Sequence, residues 1–451
     1  MHTSAPHFRR LEYYIMGENE ILDTDMLAFW LKEHKNDCVR FQHLRELYEN
    51  RHPILKEPRK PDWKPDNRIL ANIPKYIVDT FNGAFIGIPV KTECPDKNFL
   101  AKILEIHKAN DLDDSFAELS KISSIYGNAF ELCYLDENAN VRITYFTPLE
   151  AFIIYDDSVE RRPLYGVRYY FDRNHVMHGA VYTRSEILEF TDEGSLHFTD
   201  ESRPHFFDGV PIVEYIENDE RFGAFEHEES LINAYEKALS EKANDVDAFA
   251  DNYLLLKGVD LEPENLRTIR QDRVIQVPPM DQEMLQAVDV EFLTKTTGDT
   301  TQENLLDRLE TLIFSMAMVA NISDEEFGGS SGTALAYKLQ PMRNRAKEKE
   351  RKFASGMNQR WRLVASVIAT TESEKQLWKD LTYRFTFNVP KNLLEEAQTA
   401  SQMSGITSRR TQLSVISAVN DVEQEMQDIN QENGSSLSDQ YLHFRTGAED
   451  G

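Results

Sequence analysis

Hydrophobic positions along this chain fall into blocks of helical spacing and blocks of alternating, β-rich pattern. Residues 1–50 read as helical and polar, with Met26, Leu27, Phe29, Trp30 and Leu31 as their apolar patch. Prolines at 53, 58, 61 and 65 then mark residues 51–67 as an extended, surface-following arm with little regular structure. Such an arm buries little against its own chain, so it is expected to lie across a neighbouring subunit. Ile69, Leu70, Ile73, Ile77, Val78 and Phe81 share a helical face that breaks at Gly83 and Pro89. Spacing is helical again over 99–124. From Ala129 the pattern alternates, and a turn at Asp136-Glu137-Asn138 separates strands at 129–135 and 141–146. Further strands are predicted at 152–155, 165–171, 179–183, 187–191 and 213–216. Residues 125–217 thus read as an antiparallel sheet against the earlier helices, and the fold class as α+β.

A long helix follows from 228 to 257, with Leu231, Tyr235, Leu239, Ala243, Val246, Ala250 and Tyr253 as its stripe and Gly258 as its stop. Residues 259–299 read as a small α/β insert, with a short helix at 262–270 and strands at 274–277 and 288–292. A second helix opens at Thr300 with Glu303 in capping-box spacing and stops near Asn321. Its stripe is Leu305, Leu309, Leu312, Met316 and Val319. Two helices therefore bracket a compact insert, which makes a hairpin-shaped projection with a small head. A loop rich in glycine and acid comes next: Ser323, Asp324, Glu325, Glu326, Phe327, Gly328, Gly329, Ser330, Ser331 and Gly332. Helix resumes near Thr333, bends near Pro341, and carries an apolar face at Phe353, Met357, Trp361, Val364 and Ile368. A strand at 383–388 and helices at 392–403 and 407–429, joined at Gly405, complete the pattern. Residues 433–451 read as disordered.

Charge sharpens this picture. The chain of 451 residues has 50 Lys and Arg against 77 Asp and Glu, a net charge of −27. Residues 334–369 run the other way, with nine Lys or Arg against Glu348 and Glu350. A helix so basic in a chain so acidic calls for a counter-charge, either an acidic partner surface or a polyanion. The acidic balance argues against a generic nucleic-acid binder. Cys38, Cys94 and Cys133 form no CxxC pair and read as free thiols of a reducing compartment. The apolar runs are too short to span a bilayer, so no membrane partner is expected.

Candidate chemistry is sparse. The loop before Thr333 has amides suited to a phosphate, but it lacks the preceding strand and the lysine of a P-loop. Asp324, Glu325 and Glu326 are adjacent carboxylates that could hold a divalent ion, yet a glycine-rich loop does not preorganise them. His175 and His178 have no partners to complete a zinc set. No nucleophile pattern is present. No catalytic residue, metal or cofactor is expected from these patterns.

Several longer stretches carry a resemblance. They are Asn67-Arg68-Ile69-Leu70-Ala71-Asn72-Ile73-Pro74-Lys75-Tyr76-Ile77-Val78-Asp79-Thr80-Phe81, Tyr126-Gly127-Asn128-Ala129-Phe130-Glu131, and Ile154-Tyr155-Asp156-Asp157. Gly209-Val210-Pro211-Ile212-Val213-Glu214-Tyr215, Ala243-Asn244-Asp245-Val246 and Ile322 to Gly332 continue the series in order. Together they resemble the portal proteins of tailed bacteriophages, the head-to-tail connectors, in the group typical of long-tailed phages of Gram-positive hosts.

The resemblance implies a non-enzymatic ring of twelve subunits in the virion, at a unique capsid vertex, around a channel for double-stranded DNA. It implies a helical stem (228–257 and 300–320), a clip (258–299) and a tunnel loop (321–333). It also implies a wing (1–227 with 334–391), a crown (392–430) and a tail (431–451). Packaging, retention and ejection of the genome would pass through that channel. The implied partners are the terminase large subunit, a head-completion or tail adaptor protein, and the major capsid and scaffolding proteins, met in the host cytoplasm during assembly. Glu262, Glu264, Arg267 and Arg270 are the clip residues expected to meet the motor or adaptor, and Asp324 to Gly332 the residues expected to line the channel. Charge counts agree with a repulsive channel: eight acids against three bases over 226–257, and nine against four over 258–299. Two other readings stay open at this stage: a metal-dependent phage DNA-processing enzyme, and a coiled-coil scaffold without a DNA role.

Overall fold

The computed structural model describes residues 14–61, 64–250, 253–257, 289–293, 299–322, 332–388, 393–416, 418–419 and 422–431. The chain divides into two units. The larger comprises the residues up to Val319 together with Asn344–Thr386, and the smaller comprises Ala320–Arg343 and the residues from Phe387 on.

In chain order the larger unit begins with β1 (Tyr14–Met16) and α1 (Thr24–Tyr48), whose N-cap Asp23 accepts from the Met26 amide. Helix α2 (Ile73–Ile86) starts at the cap Asn72, with Pro74 in its first turn where a missing amide hydrogen costs nothing. It runs through Gly83, where the sequence pattern had stopped it. After β2 (Lys91–Glu93) come α3 (Lys97–Ala109) and α4 (Leu112–Tyr126), separated by Asp111 in the left-handed region. The strands follow: β3 (Asn128–Leu135), β4 (Val141–Phe146), β5 (Ala151–Asp156), β6 (Pro163–Phe171), β7 (Met177–Tyr182), β8 (Glu186–Asp192), β9 (Leu196–Pro204) and β10 (Ile212–Ile216). Helix α5 (Glu229–Ala250), β11 (Tyr253–Lys257), β12 (Asp289–Leu293) and α6 (Asp299–Ala317) come next.

The expected single sheet is two. One has six strands in the order β1-β5-β6-β7-β8-β9, the other three in the order β10-β3-β4. Neighbours pair antiparallel except β1, which runs parallel to β5 with Tyr14 opposite Ile154. The run Ala151–Ile154 is apolar throughout because it is covered on both sides. Phe152 and Ile154 join Leu27, Leu31 and Tyr169 under α1, while Ala151 and Ile153 join Phe130, Leu132 and Ile212 of the smaller sheet.

The smaller unit opens with α7 (Gly332–Lys338) and the first residues of α8 (Gln340–Ile368). The helix is interrupted at Leu339, two residues before Pro341. The ring of Pro341 offers no donor to the preceding turn, so a new helix starts with proline in its first turn. Strand β13 (Thr382–Arg384), in the larger unit, pairs with β2. Helices α9 (Leu393–Gln402) and α10 (Arg409–Val415) turn about Gly405, at φ +81, with Ser408 capping α10. Residues 422–431 are again helical, so the single helix expected over 407–429 is broken. Residues 433–451, expected to be disordered, lie outside the described residues.

Candidate channel and docking elements

Helices α5 and α6 pack along one another. Lys242 of α5 pairs with Glu303 of α6, and Gln302 Nε2 donates to Asp245 Oδ2 at 2.9 Å. Beyond them β11 and β12 form an antiparallel ladder, with Tyr253 opposite Leu293 and Lys257 opposite Asp289. The insert therefore leaves and returns through one ladder, its ends held about 4.8 Å apart. The sequence pattern carried the first helix on to Lys257, but the helix ends at Ala250 and 253–257 is a strand. A leucine run at 254–256 satisfies both periods, and the partner strand decides between them. Gly258, the helix at 262–270, the strand at 274–277, and Glu262, Glu264, Arg267 and Arg270 lie outside the described residues.

Helix α6 turns Leu306, Leu309, Ile313 and Ala317 inward, while Leu305 and Met316 are 50% and 58% exposed. The expected stripe was therefore rotated by about one residue. The helix ends earlier than Asn321, at Ala317, and Met318 after it takes φ +53. The Val319 amide donates back to the Phe314 carbonyl at 3.2 Å, the closing bond of a Schellman turn. Arg345 Nη1 donates to the Ala317 carbonyl at 2.6 Å, which sets a guanidinium at the negative end of α6. The loop that follows lies outside the described residues from Ser323 to Ser331. Asp324, Glu325, Glu326, Phe327, Gly328, Gly329, Ser330 and Ser331 fall there, and Gly332 is the first residue of α7.

Much of the positive charge of α8 is matched within the chain. This corrects the expectation that a partner or a polyanion supplies the counter-charge. Arg360 and Glu131 of β3 form a fully buried bidentate pair, with Nε 2.6 Å from Oε1, and the guanidinium lies 4.1 Å from the Phe116 ring centre. Burial would lower the Arg360 pKa, but the Glu131 charge raises it above that of a free arginine. Lys349 donates to Glu217 at 2.6 Å, and to Ser124 Oγ and the Ser120 carbonyl at 2.8 Å each. Its three donors are thereby satisfied. Burial pulls Lys349 down to about 8 against the upward pull of Glu217. Burial would raise Glu217, but Lys349 and Arg345 hold it below the usual carboxylate range. Arg345 also reaches Glu217 at 3.0 Å and lies 4.5 Å from the Phe81 ring centre. Lys352 pairs with Asp219. Between these anchors Phe353, Met357, Trp361 and Val364 are buried, as the spacing predicts.

Family models and curated relatives place this architecture. The model described as phage portal protein, SPP1 Gp6-like, matches residues 27–437. The chain belongs to the portal protein family. A portal protein of Clostridium phage phiCD119 is 22% identical over 447 residues, covering 90% of this chain and 97% of that one. The portal protein of Bacillus phage SPP1 is 24% identical over 395 residues, covering 82% of this chain and 77% of that one. Both relatives come from phages of Gram-positive hosts.

The stretches that carried the resemblance fall at joints of this portal-family fold. Asn67–Ala71 meets Ser240 and Asn244 of α5. Gly127 joins α4 to β3 at φ +95, and a Cβ there would lie 1.9 Å from the Arg221 carbonyl. Glu214 binds Arg221 with both oxygens at 2.7 Å, Tyr155 at 2.7 Å and Asn128 at 2.8 Å. Composition flagged none of Glu131, Glu217 and Arg345 singly; the basic run over 334–369 was the signal that acids had to face it.

Proposed function

We propose that this chain is one subunit of a ring at the capsid vertex, twelve in the virion, through which double-stranded DNA is packaged, retained and ejected. Helices α5 and α6 are the stem, and residues 258–299 are the clip that docks the terminase large subunit and then the head-completion or tail adaptor protein. Residues 321–333 form the tunnel loop, residues 1–227 with 334–391 the wing, and 392–430 the crown. Major capsid and scaffolding proteins meet the ring during assembly in the host. The observation that carries this reading is a family match over residues 27–437, on a chain whose two central helices close on one strand ladder. The role is mechanical, and a separate motor supplies the chemistry. Among the described residues no helix is long and apolar enough to cross a membrane.

The stem and the tunnel loop are acidic, so DNA is held off the wall and slides. The test is to replace Asp324, Glu325 and Glu326 with Lys and measure packaging rate against salt. Slower, salt-dependent packaging is expected, because each new cation can pair with a phosphate. A wild-type rate at low salt would remove this loop from the channel. Electron micrographs of the purified chain should show rings with a central hole; monomers that cut DNA with a divalent ion would overturn the ring reading.

A further inference from the structure

Helix α5 buries a polar face. Ile232, Glu236, Ser240 and Asn244, each one turn from the next, are all buried. The segment 67–71 runs against them as extended chain. Asn244 Oδ1 accepts from the Asn67 amide at 2.6 Å, Ser240 Oγ from the Ile69 amide at 2.9 Å, and Glu236 Oε1 from the Ala71 amide at 3.1 Å. Two residues of extended chain advance about 6.7 Å. Four residues of helix advance about 6 Å. Alternate backbone amides therefore meet successive helical turns, and the segment is held as a ladder.

At the Ala71 end the ladder meets a buried pair. His52 and Glu236 are both fully buried, with Nδ1 2.7 Å from Oε1. The approach is an ion-pair contact that lies off the ring N–H direction and is not an aligned hydrogen bond. His52 Nε2 lies 2.9 Å from the Leu47 carbonyl, which can only accept, so Nε2 carries a hydrogen. One proton must then be held at this contact, on the imidazole or on the carboxyl, or two lone pairs would meet at 2.7 Å. Either placement leaves the pair without net charge. Without that proton a nitrogen lone pair faces a carboxylate in a site shut off from water. With a second proton, Oε2 would carry a hydrogen and find no acceptor, since it has no hydrogen-bond partner.

We propose that His52 and Glu236 form a one-proton clasp that fastens residues 52–71 onto α5, and that loss of the proton releases the ladder. Charged groups on the surrounding elements form pairs of their own; Arg40 of α1 is buried against Glu226, and the rest named here are partly exposed. Glu46 of α1 pairs with Lys56, and His43 of α1 with Glu229 of α5. Lys75 of α2 pairs with Asp79 and reaches the Tyr48 hydroxyl. Arg68 pairs with Asp66, and Lys60 with Glu241 of α5. Solvent screens these pairs from the clasp.

The test is hydrogen–deuterium exchange of the full-length chain from about pH 6 to about pH 10, corrected for intrinsic exchange. Where the open form has lost the proton and the closed form still holds it, peptides covering 67–71 should open about tenfold more per pH unit, while α4 stays protected. In Glu236→Gln the amide oxygen still accepts from Ala71 and no carboxylate is left to face Nδ1, so the alkaline rise should vanish. A flat wild-type profile would overturn the clasp, as would an equal rise in Glu236→Gln. Ser240→Ala, which spares the clasp, should open the ladder at every pH and keep the rise; this arm and the wild-type profile decide the matter if Glu236→Gln does not fold.

Discussion

Helices α8 and α5 both turn polar side chains into the fold, but with different chemistry. Helix α8 inserts full charges and meets each with a buried acid: Arg360 with Glu131, and Lys349 and Arg345 with Glu217. Helix α5 inserts an amide, a hydroxyl and a carboxyl, and meets bare backbone. An orphaned charge in a dry interior is far costlier than an orphaned amide, so the α8 contacts hold or fail together. A neutral side-chain bond to backbone contributes about 1 kcal/mol; Asn244 and Ser240 each supply one to segment 67–71, and Glu236, paired with His52, supplies the third rung. The first helix is thus fastened as a frame and the second is strapped.

The sharpest way to break this contrast is Glu131→Ala, which leaves Arg360 buried without its partner. It should cost about 3–5 kcal/mol in urea unfolding. The paired change Glu131→Leu with Arg360→Met should recover most of that loss, because apolar groups of similar size remove the desolvation cost. A loss in Glu131→Ala no larger than that of a single ladder rung would erase the distinction.

A second measurement concerns pH. Lys349 sits at about 8 in the folded chain against 10.5 for a free lysine. Between those values the unfolded chain binds more protons, so this group makes stability rise with pH across that window. The gain of wild type over Lys349→Met should grow by about 3 kcal/mol from pH 8 to pH 10.5. Below pH 8 both states hold the proton and the difference should be flat. A difference that falls across the window would mean the ammonium is stabilised, not strained, by its site.

The smallest expected effect is Asn244→Ala. It should cost about 1 kcal/mol, with faster exchange confined to residues near Asn67. A loss that spreads into α6 would show that the strap also carries the helix pair.

The same contrast explains what could be read in advance. Strands β3 to β8 and β10 were legible because short runs rich in aromatic and β-branched residues are bounded by turn residues such as Asp136-Glu137-Asn138. The faces of α2 and α8 were legible because four apolar residues repeat one turn apart. Strand β1 and strand β9 escaped notice. Tyr14–Met16 is only three residues long and finds its partner 140 positions away, at Ile154–Asp156. Leu196–Pro204 is rich in polar residues and pairs at a sheet edge. The prolines of the arm sit in a segment tied to α5 of its own chain through Lys60 and Asn67. Sequence proximity gave no hint of that tie.

By itself the amino-acid order determined the α+β class, the two helices that bracket the insert, the break near Pro341 and membership of the portal family. These rest on local periodicity, on backbone geometry, and on collinear motifs, all of which survive in one dimension. Only the tertiary structure decided that the basic helix meets its own acids, that α5 buries its polar stripe, and that 253–257 is strand. Each of those depends on which groups meet across the chain: more than a hundred residues for the first two, and 32 to 40 for the strand. Burial changes the energy of a charge or an unpaired amide by several kcal/mol, and the sequence does not state which side chains are buried.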